Sequence, residues 1–458
     1  MPPQQNDAPI IQTAAPTNSR KKLIAAVALL AVVLFVLGAL LYASQSTNIQ
    51  SDTNAPVTVI SETKCDPTDP KVTENVALKG SYPFTKITQG SHTFLVVTAD
   101  KDGKAAKWIN ESPWEVCGLP VVFIENLGFN NPNPESFVWN GNVYEVPSEA
   151  VPMPFVHHQL AYLKGGHFGK GVVDGHEYDF ANVSSRAYTV NGAGAIIQAV
   201  SDASSNSAKK KSVNVVYKGE NFGPYAEVIP HIVSVNGEPT YFASEDGQNY
   251  SLYQSGKVVS PSGVVGFPPS EKALVNYKGQ PAYILGTRGG ESTVYIGSKS
   301  QGKKFGNAIE LLVVGDKLAA NSISDQQPHI FLNGQDLGFG SSMYDAAGTV
   351  GYLSGDPSAG QYDIMRGTEK VGSIDHPSVF YPSRSYVTGV WGDLTFVGDK
   401  PAYVYRGGYT GDSYGEEYVK YGDEKIFSGY SVGLVANIGG KLVIKGSKDR
   451  TDYVFIEE

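Results

Sequence analysis

Hydrophobic positions fall along this chain in two distinct ways. Leu23–Ala43 is a single uncharged apolar run of 21 residues. From about Tyr82 onward the apolar runs are short and alternate with turn signals. Phe94-Leu95-Val96-Val97 leads into Asp102-Gly103, and Asx-Gly steps follow at Asn140-Gly141, Asp174-Gly175, Asn191-Gly192, Asn236-Gly237, Asp246-Gly247 and Asn333-Gly334. Such steps supply the positive φ angles of two-residue hairpin turns. The runs between them favour Val, Ile, Tyr and Phe, as strands do. No amphipathic helical period recurs, so the pattern predicts an all-β body.

One unit repeats within that body, a tight turn followed by a short apolar strand. It stands as Val235-Asn236-Gly237-Glu238-Pro239-Thr240-Tyr241-Phe242-Ala243, again as Tyr277-Lys278-Gly279-Gln280-Pro281-Ala282-Tyr283-Ile284-Leu285, and again as Gly398-Asp399-Lys400-Pro401-Ala402-Tyr403-Val404-Tyr405. Alignment on the residue two places after the turn gives Gly194, Pro239, Pro281, Leu318, Pro401 and Leu442, at intervals of 45, 42, 37, 83 and 41. The long interval places a degenerate copy near Tyr352–Tyr362. A period near 42 suits one four-stranded propeller blade. The expected architecture is a β-propeller of about seven or eight four-stranded blades, preceded by one transmembrane helix. Leu160-Ala161-Tyr162-Leu163 reads as an earlier copy, and Thr93–Val97 as the start of another. The last copy shows only Leu442–Lys445 and Tyr453–Ile456, so N-terminal strands are expected to complete it and remove an open edge.

The apolar run is long enough, at about 1.5 Å per residue, to cross a hydrocarbon core of about 30 Å. It exceeds a signal-peptide core, and its end lacks a small-x-small cleavage pattern. Arg20-Lys21-Lys22 precede it, and the next basic residue is Lys64. The positive-inside rule then orients the protein. Residues 1–22 are expected to be a disordered cytoplasmic tail, 23–43 an uncleaved single-pass anchor, 44–63 a flexible linker, and 64–458 an extracytoplasmic repeat domain.

Charge narrows the partners. The formal net charge is −9, and residues 1–43 carry +2 (Arg20, Lys21 and Lys22 against Asp7), which leaves −11 on the rest. An acidic body does not suit a nucleic-acid backbone. The chain has two cysteines, Cys65 and Cys117. Outside the cytoplasm a disulfide is their simplest fate; it would close a loop of about 50 residues.

The repeated hairpins Asn236-Gly237-Glu238-Pro239-Thr240-Tyr241 and Gly279-Gln280-Pro281-Ala282-Tyr283 resemble those of uncharacterised, membrane-anchored bacterial repeat proteins with Asn-Gly-x-Pro-Ala-Tyr-like units. The resemblance spans about half of the ectodomain. It implies architecture and brings no catalytic residues with it.

Candidate chemistry is sparse. Gly429-Tyr430-Ser431-Val432-Gly433 has the letters of a nucleophile elbow but is followed by an apolar run and a Gly-Gly turn rather than a helix. Gly297–Lys304 approaches a phosphate loop but lacks its closing Ser or Thr. Asp100-Lys101-Asp102-Gly103 lacks the downstream Glu of a calcium loop, and Asp412–Glu417 is a second acidic loop. His158, His167 and His176 recur at nine-residue intervals with Asp174 nearby. Imidazoles and a carboxylate at hairpin tips are the chemistry of a divalent-metal site, yet no close ligand pair is present and surface histidines are the simpler reading. Asn110, Asn182 and Asn249 begin sequons. Tyr403, Tyr405, Tyr409, Tyr414, Tyr418 and Tyr421 form a dense aromatic set; Tyr403 reads as core, whereas Tyr409 and Tyr414, in a loop, suit glycan or peptide recognition. The resulting expectation is a binding module for an envelope protein or glycan, with no cofactor. Its alternatives are a hydrolase or lyase with a site at the propeller channel and a scaffold for other membrane proteins.

Overall fold

The computed structural model describes Pro67 and, from Val76 to Glu458, all but a set of loop stretches, the longest being 201–211 and 376–393. The tail 1–22, the apolar run 23–43, the linker 44–63 and Cys65 lie outside the described residues. Among the described residues no helix is long and apolar enough to cross a membrane.

The described strands are β1 (Ala77–Ser81), β2 (Thr85–Gln89), β3 (His92–Thr98), β4 (Lys107–Trp108), β5 (Trp114–Val116), β6 (Leu119–Asn126), β7 (Pro134–Trp139), β8 (Asn142–Glu145), β9 (Ala150–Met153), β10 (Ala161–Lys164), β11 (Gly169–Val173), β12 (His176–Phe180), β13 (Ala187–Val190), β14 (Ala193–Val200), β15 (Ser212–Tyr217), β16 (Glu220–Tyr225), β17 (Glu227–Val235), β18 (Glu238–Ser244), β19 (Ser251–Gln254), β20 (Lys257–Val258), β21 (Leu274–Tyr277), β22 (Gln280–Gly286), β23 (Ser292–Ile296), β24 (Lys299–Ser300), β25 (Asn307–Val314), β26 (Lys317–Ser324), β27 (Gln327–Leu332), β28 (Gln335–Phe339), β29 (Ser341–Asp345), β30 (Val350–Ser354), β31 (Gln361–Arg366), β32 (Glu369–Asp375), β33 (Leu394–Val397), β34 (Lys400–Tyr409), β35 (Tyr414–Tyr421), β36 (Glu424–Ile426), β37 (Ser431–Ile438), β38 (Lys441–Lys448) and β39 (Thr451–Glu457). They form nine antiparallel sheets. Seven are simple four-stranded meanders running from β9–β12 to β33–β36. The first sheet has the order β1-β8-β7-β6-β4 with β5 also on β6, and the last has the order β2-β3-β39-β38-β37.

Local turn chemistry accounts for the meanders. Asn140-Gly141, Asn236-Gly237 and Asn333-Gly334 each have positive φ at both residues and close two-residue hairpins, as the sequence predicts. Lys218-Gly219, Ser255-Gly256 and Lys278-Gly279 do the same without an Asx residue. Asp246-Gly247 departs from expectation. Asp246 Oδ1 accepts from the amides of Gln248 and Asn249 at 2.7 and 2.8 Å, so it builds a longer loop between β18 and β19 rather than a tight turn.

The aligned residues hold one structural position. Gly194, Pro239, Pro281, Leu318 and Pro401 are each the second residue of a sheet's second strand, and Leu442 is the second residue of β38, which neighbours the edge strand β37 in the last sheet. The carbonyls of Pro239, Pro281, Leu318 and Pro401 accept from Ser255, Gly297, Asn333 and Gly422, beyond the third strand of the same sheet. Val350 does the same for Gly367, which identifies β29–β32 as the degenerate copy. Proline fits because its absent N–H lies on the same side as that carbonyl, past the last rung of the ladder.

Two residues further on, the aromatic side chain turns toward the preceding sheet. The hydroxyl of Tyr241 lies 3.1 Å from that of Tyr225 on β16. Tyr352 donates to the Leu337 carbonyl on β28 and Tyr403 to that of Ser373 on β32, both at 3.2 Å. All three rings are buried.

Apolar clusters join successive sheets. Tyr217, Tyr225 and Tyr241 share one; Phe242, Tyr283 and Leu311 another; Tyr344, Phe396 and Tyr403 a third. The last sheet packs on β33–β36 through Phe94, Val404 and Phe427, and on the first sheet through Val122, Val138 and Leu434. Each buried aromatic contributes on the order of 1.5–3 kcal/mol. Of the copy read at Leu160–Leu163, Ala161–Leu163 lie in β10, the second strand of its sheet, but Thr93–Val97 starts no sheet of its own. It lies in β3, which completes the last sheet by pairing Phe94 through Thr98 with Glu457 through Tyr453. The described strands form nine sheets where the sequence predicts seven or eight blades, and the first of them, β1 with β4–β8, corresponds to no copy of the repeat read from the sequence.

Candidate functional site

The hairpin β34–β35 extends farthest beyond its repeat unit. Its ladder runs from Ala402↔Tyr421, inside the core, through Tyr405↔Tyr418 and Gly407↔Glu416 to Tyr409↔Tyr414. Ala402, Val404 and Val419 are buried against the last sheet, and Tyr403 against the preceding one. Past that point the two strands continue with tyrosines in place of aliphatic residues.

Tyr405 and Tyr418 stack with ring centroids 4.7 Å apart and planes 27° from parallel. Both are half-buried. Lys425 of β36 places its ammonium 4.3 Å from the Tyr418 centroid and pairs with the Glu416 carboxylate. The result is an aromatic pair edged by one cation and one anion. Burial and the Tyr405 hydroxyl push the Tyr418 phenol up, while Lys425 pulls it down; it stays a neutral donor near neutral pH. Such a surface offers a π face for stacking, a phenol, an ammonium and a carboxylate for hydrogen bonds.

Tyr409 and Tyr414, the residues singled out from the sequence, sit opposite one another at the end of this ladder, four residues beyond the stacked pair in each strand. Within the acidic stretch ending at Glu417, the two glutamates have partners: Glu416 pairs with Lys425, and Glu417 accepts from the Val432 amide at 2.8 Å. Lys425 was not legible as part of this site, because it arrives from a separate strand after its own turn.

Of the histidine set, His158, His167 and Asp174 lie outside the described residues, and His176 opens β12 opposite Val173. Among the described residues no three His, Cys, Asp or Glu side chains are grouped to hold a metal. Cys117 takes part in a disulfide at the tip of the β5–β6 hairpin, with φ of 51°; Cys65 lies outside the described residues. Ser431 of the elbow-like motif opens β37 and pairs with Ser447, a strand context without the helix that motif needs. In Gly297–Lys304, a turn joins β23 to β24 and a 3₁₀ turn begins at Gly302. Asn249 of the third sequon donates from its amide to Asp246 at 2.8 Å.

No protein-family model matches the chain, and no curated protein matches it either; its chemistry is read from these residues alone.

Proposed function

We propose that residues 64–458 form a β-propeller, held outside the cell by a Leu23–Ala43 anchor, that acts as a binding module for an envelope glycan or protein through the β34–β35 hairpin. The ring reading is supported by the packing of the last sheet against both its predecessor and the first sheet. It is supported further by the contact of first strands from one sheet to the next along β17, β21, β25, β29, β33 and β37. A ring positions projecting loops rigidly, which is what a recognition surface needs. In this reading Cys65 is the partner of Cys117 and ties the start of the repeat domain to the first sheet.

The observation that carries the binding role is the stacked Tyr405–Tyr418 pair with Lys425 and Glu416 at its edge. A sugar ring presents an apolar C–H face bordered by hydroxyls, and this surface complements both. The test uses the full-length chain in lipid nanodiscs, screened on envelope glycans and against envelope proteins captured by crosslinking. Replacing Tyr405 and Tyr418 together by Ala is expected to weaken the bound species at least about tenfold, equivalent to about 1.4 kcal/mol. Unchanged binding in a folded double variant excludes this hairpin as the site, and a protein-only hit assigns it to protein recognition.

A further inference from the structure

The hairpin β2–β3 straps the N-terminal part of the domain to β39, and its turn is held by a polar cluster reaching into the neighbouring sheet. Glu424 of β36 accepts from the Ser91 amide at 2.7 Å and from the Ser91 hydroxyl. Gly90 permits this approach: its φ is +59°, and a Cβ there would lie 1.9 Å from Glu424 Oε2. His92 Nδ1 lies 2.8 Å from Glu457 Oε1 on β39, and its Nε2 3.7 Å from Glu424 Oε1. Glu457 Oε2 also accepts from the Leu442 amide at 3.1 Å and from the Tyr421 hydroxyl at 3.4 Å. The Tyr421 ring packs 4.6 Å from the imidazole; the Lys400 ammonium of β34 lies 5.8 Å from the Tyr421 centroid and, with His92, within electrostatic reach of Glu424, and Asp399 is within electrostatic reach of Tyr421. Gln89 accepts from the Phe427 amide at 3.3 Å, and Lys86 pairs with Glu458 on the outer rung.

Two donors on one residue converge on a single carboxylate. An ionised carboxylate accepts both; a protonated one must place its own O–H and loses an acceptor position. We propose that Ser91 and Glu424 form an acid-released pin: protonating Glu424 frees the strap's turn from β36, while the β3–β39 ladder and the buried Phe94 keep the strap seated. The Ser91 donors hold the Glu424 carboxyl below the usual carboxylate range. A depressed carboxylate contributes its stabilisation above the ordinary carboxylate pKa and loses it as pH falls through the lowered value. The opening therefore belongs to acid pH and not to the neutral range. The His92–Glu457 contact stays within the strap's own sheet and serves as the hinge.

Hydrogen–deuterium exchange of the full-length chain in nanodiscs tests this, read on peptides covering Gln89–Phe94 and corrected for intrinsic rates. Protection there is expected to fall about tenfold between about pH 7 and about pH 3.5, while peptides of β38 stay protected. Glu424→Gln is expected to be loose already at neutral pH with no further acid step, and Ser91→Ala to move the step upward toward the ordinary carboxylate range. Equal protection at both pH values, or an acid step that survives in Glu424→Gln, overturns the proposal. Should Glu424→Gln not fold, Ser91→Ala decides alone, and an unmoved step overturns it.

Discussion

The sheet β21–β24 and the sheet that follows it, β25–β28, fill the same position in opposite ways. In the first, Pro281-Ala282-Tyr283 places a tyrosine against the preceding sheet. In the second, Leu318-Ala319-Ala320 places a methyl group there, and Phe305, from the 3₁₀ turn Gly302–Phe305, packs into the same cluster as Ala320. Tyr283 itself is fully buried, yet its hydroxyl has no partner among the described residues. The strand it would reach, β20, is only two residues long, whereas the partner strands of Tyr241, Tyr352 and Tyr403 run for six, five and seven. The position demands the volume of an aromatic ring, from whichever element can supply it. The hydroxyl is an addition used only where the preceding sheet is long enough to receive it.

That contrast is open to test. The largest effect is expected from alkali. Burial pushes the phenols of Tyr253 and Tyr421 up to about 12 and those of Tyr225, Tyr241 and Tyr283 upward as well. Each favours the folded state below the ordinary phenol pKa, and that contribution is lost as pH rises from about 10 through the raised values. Circular dichroism should therefore show the fold failing between about pH 10 and 12, and exchange should begin in the tyrosine-filled sheets before β25–β28. Loss starting at β25–β28 would break the comparison. Next in size, Phe305→Ala should cost about 3–5 kcal/mol in denaturant unfolding, because the aligned residue Ala320 has only a methyl group with which to fill the space. Smaller still, Tyr241→Phe should cost about 1 kcal/mol by stranding the Tyr225 hydroxyl. Tyr283→Phe should be neutral or slightly stabilising, since it removes a buried group that has no partner. A Tyr283→Phe variant as damaged as Tyr241→Phe would mean that the buried hydroxyl has a partner after all.

The repeat was legible because its Pro and Tyr each do a local job. A proline in second place leaves the ladder intact, and the tyrosine two residues later lies on the face that packs backward, so spacing alone locates them. Val350-Gly351-Tyr352 escaped strict alignment because its turn spans four residues, with Ala346 donating to the Thr349 carbonyl. Turns at Lys218-Gly219 and Ser255-Gly256 carry no Asx signal. The tyrosines of the candidate site were visible as a cluster, but which of them stack depends on register between β34 and β35. Phe305 and the Ser91–Glu424 contact were hidden for another reason: each depends on residues that meet only after neighbouring sheets pack, and nothing local marks them.

The strap also sets an order on biosynthesis. His92 and Glu457 are separated by 365 residues, so β3 has no ladder partner other than β2 until almost all the described chain has been made. Contacts of that span form late and slowly. In the meantime β3 offers a bare apolar edge that can pair with the wrong chain. A nascent copy of this protein therefore waits with its beginning unpaired, and conditions that slow its completion should raise aggregation before they reduce the stability of the finished molecule.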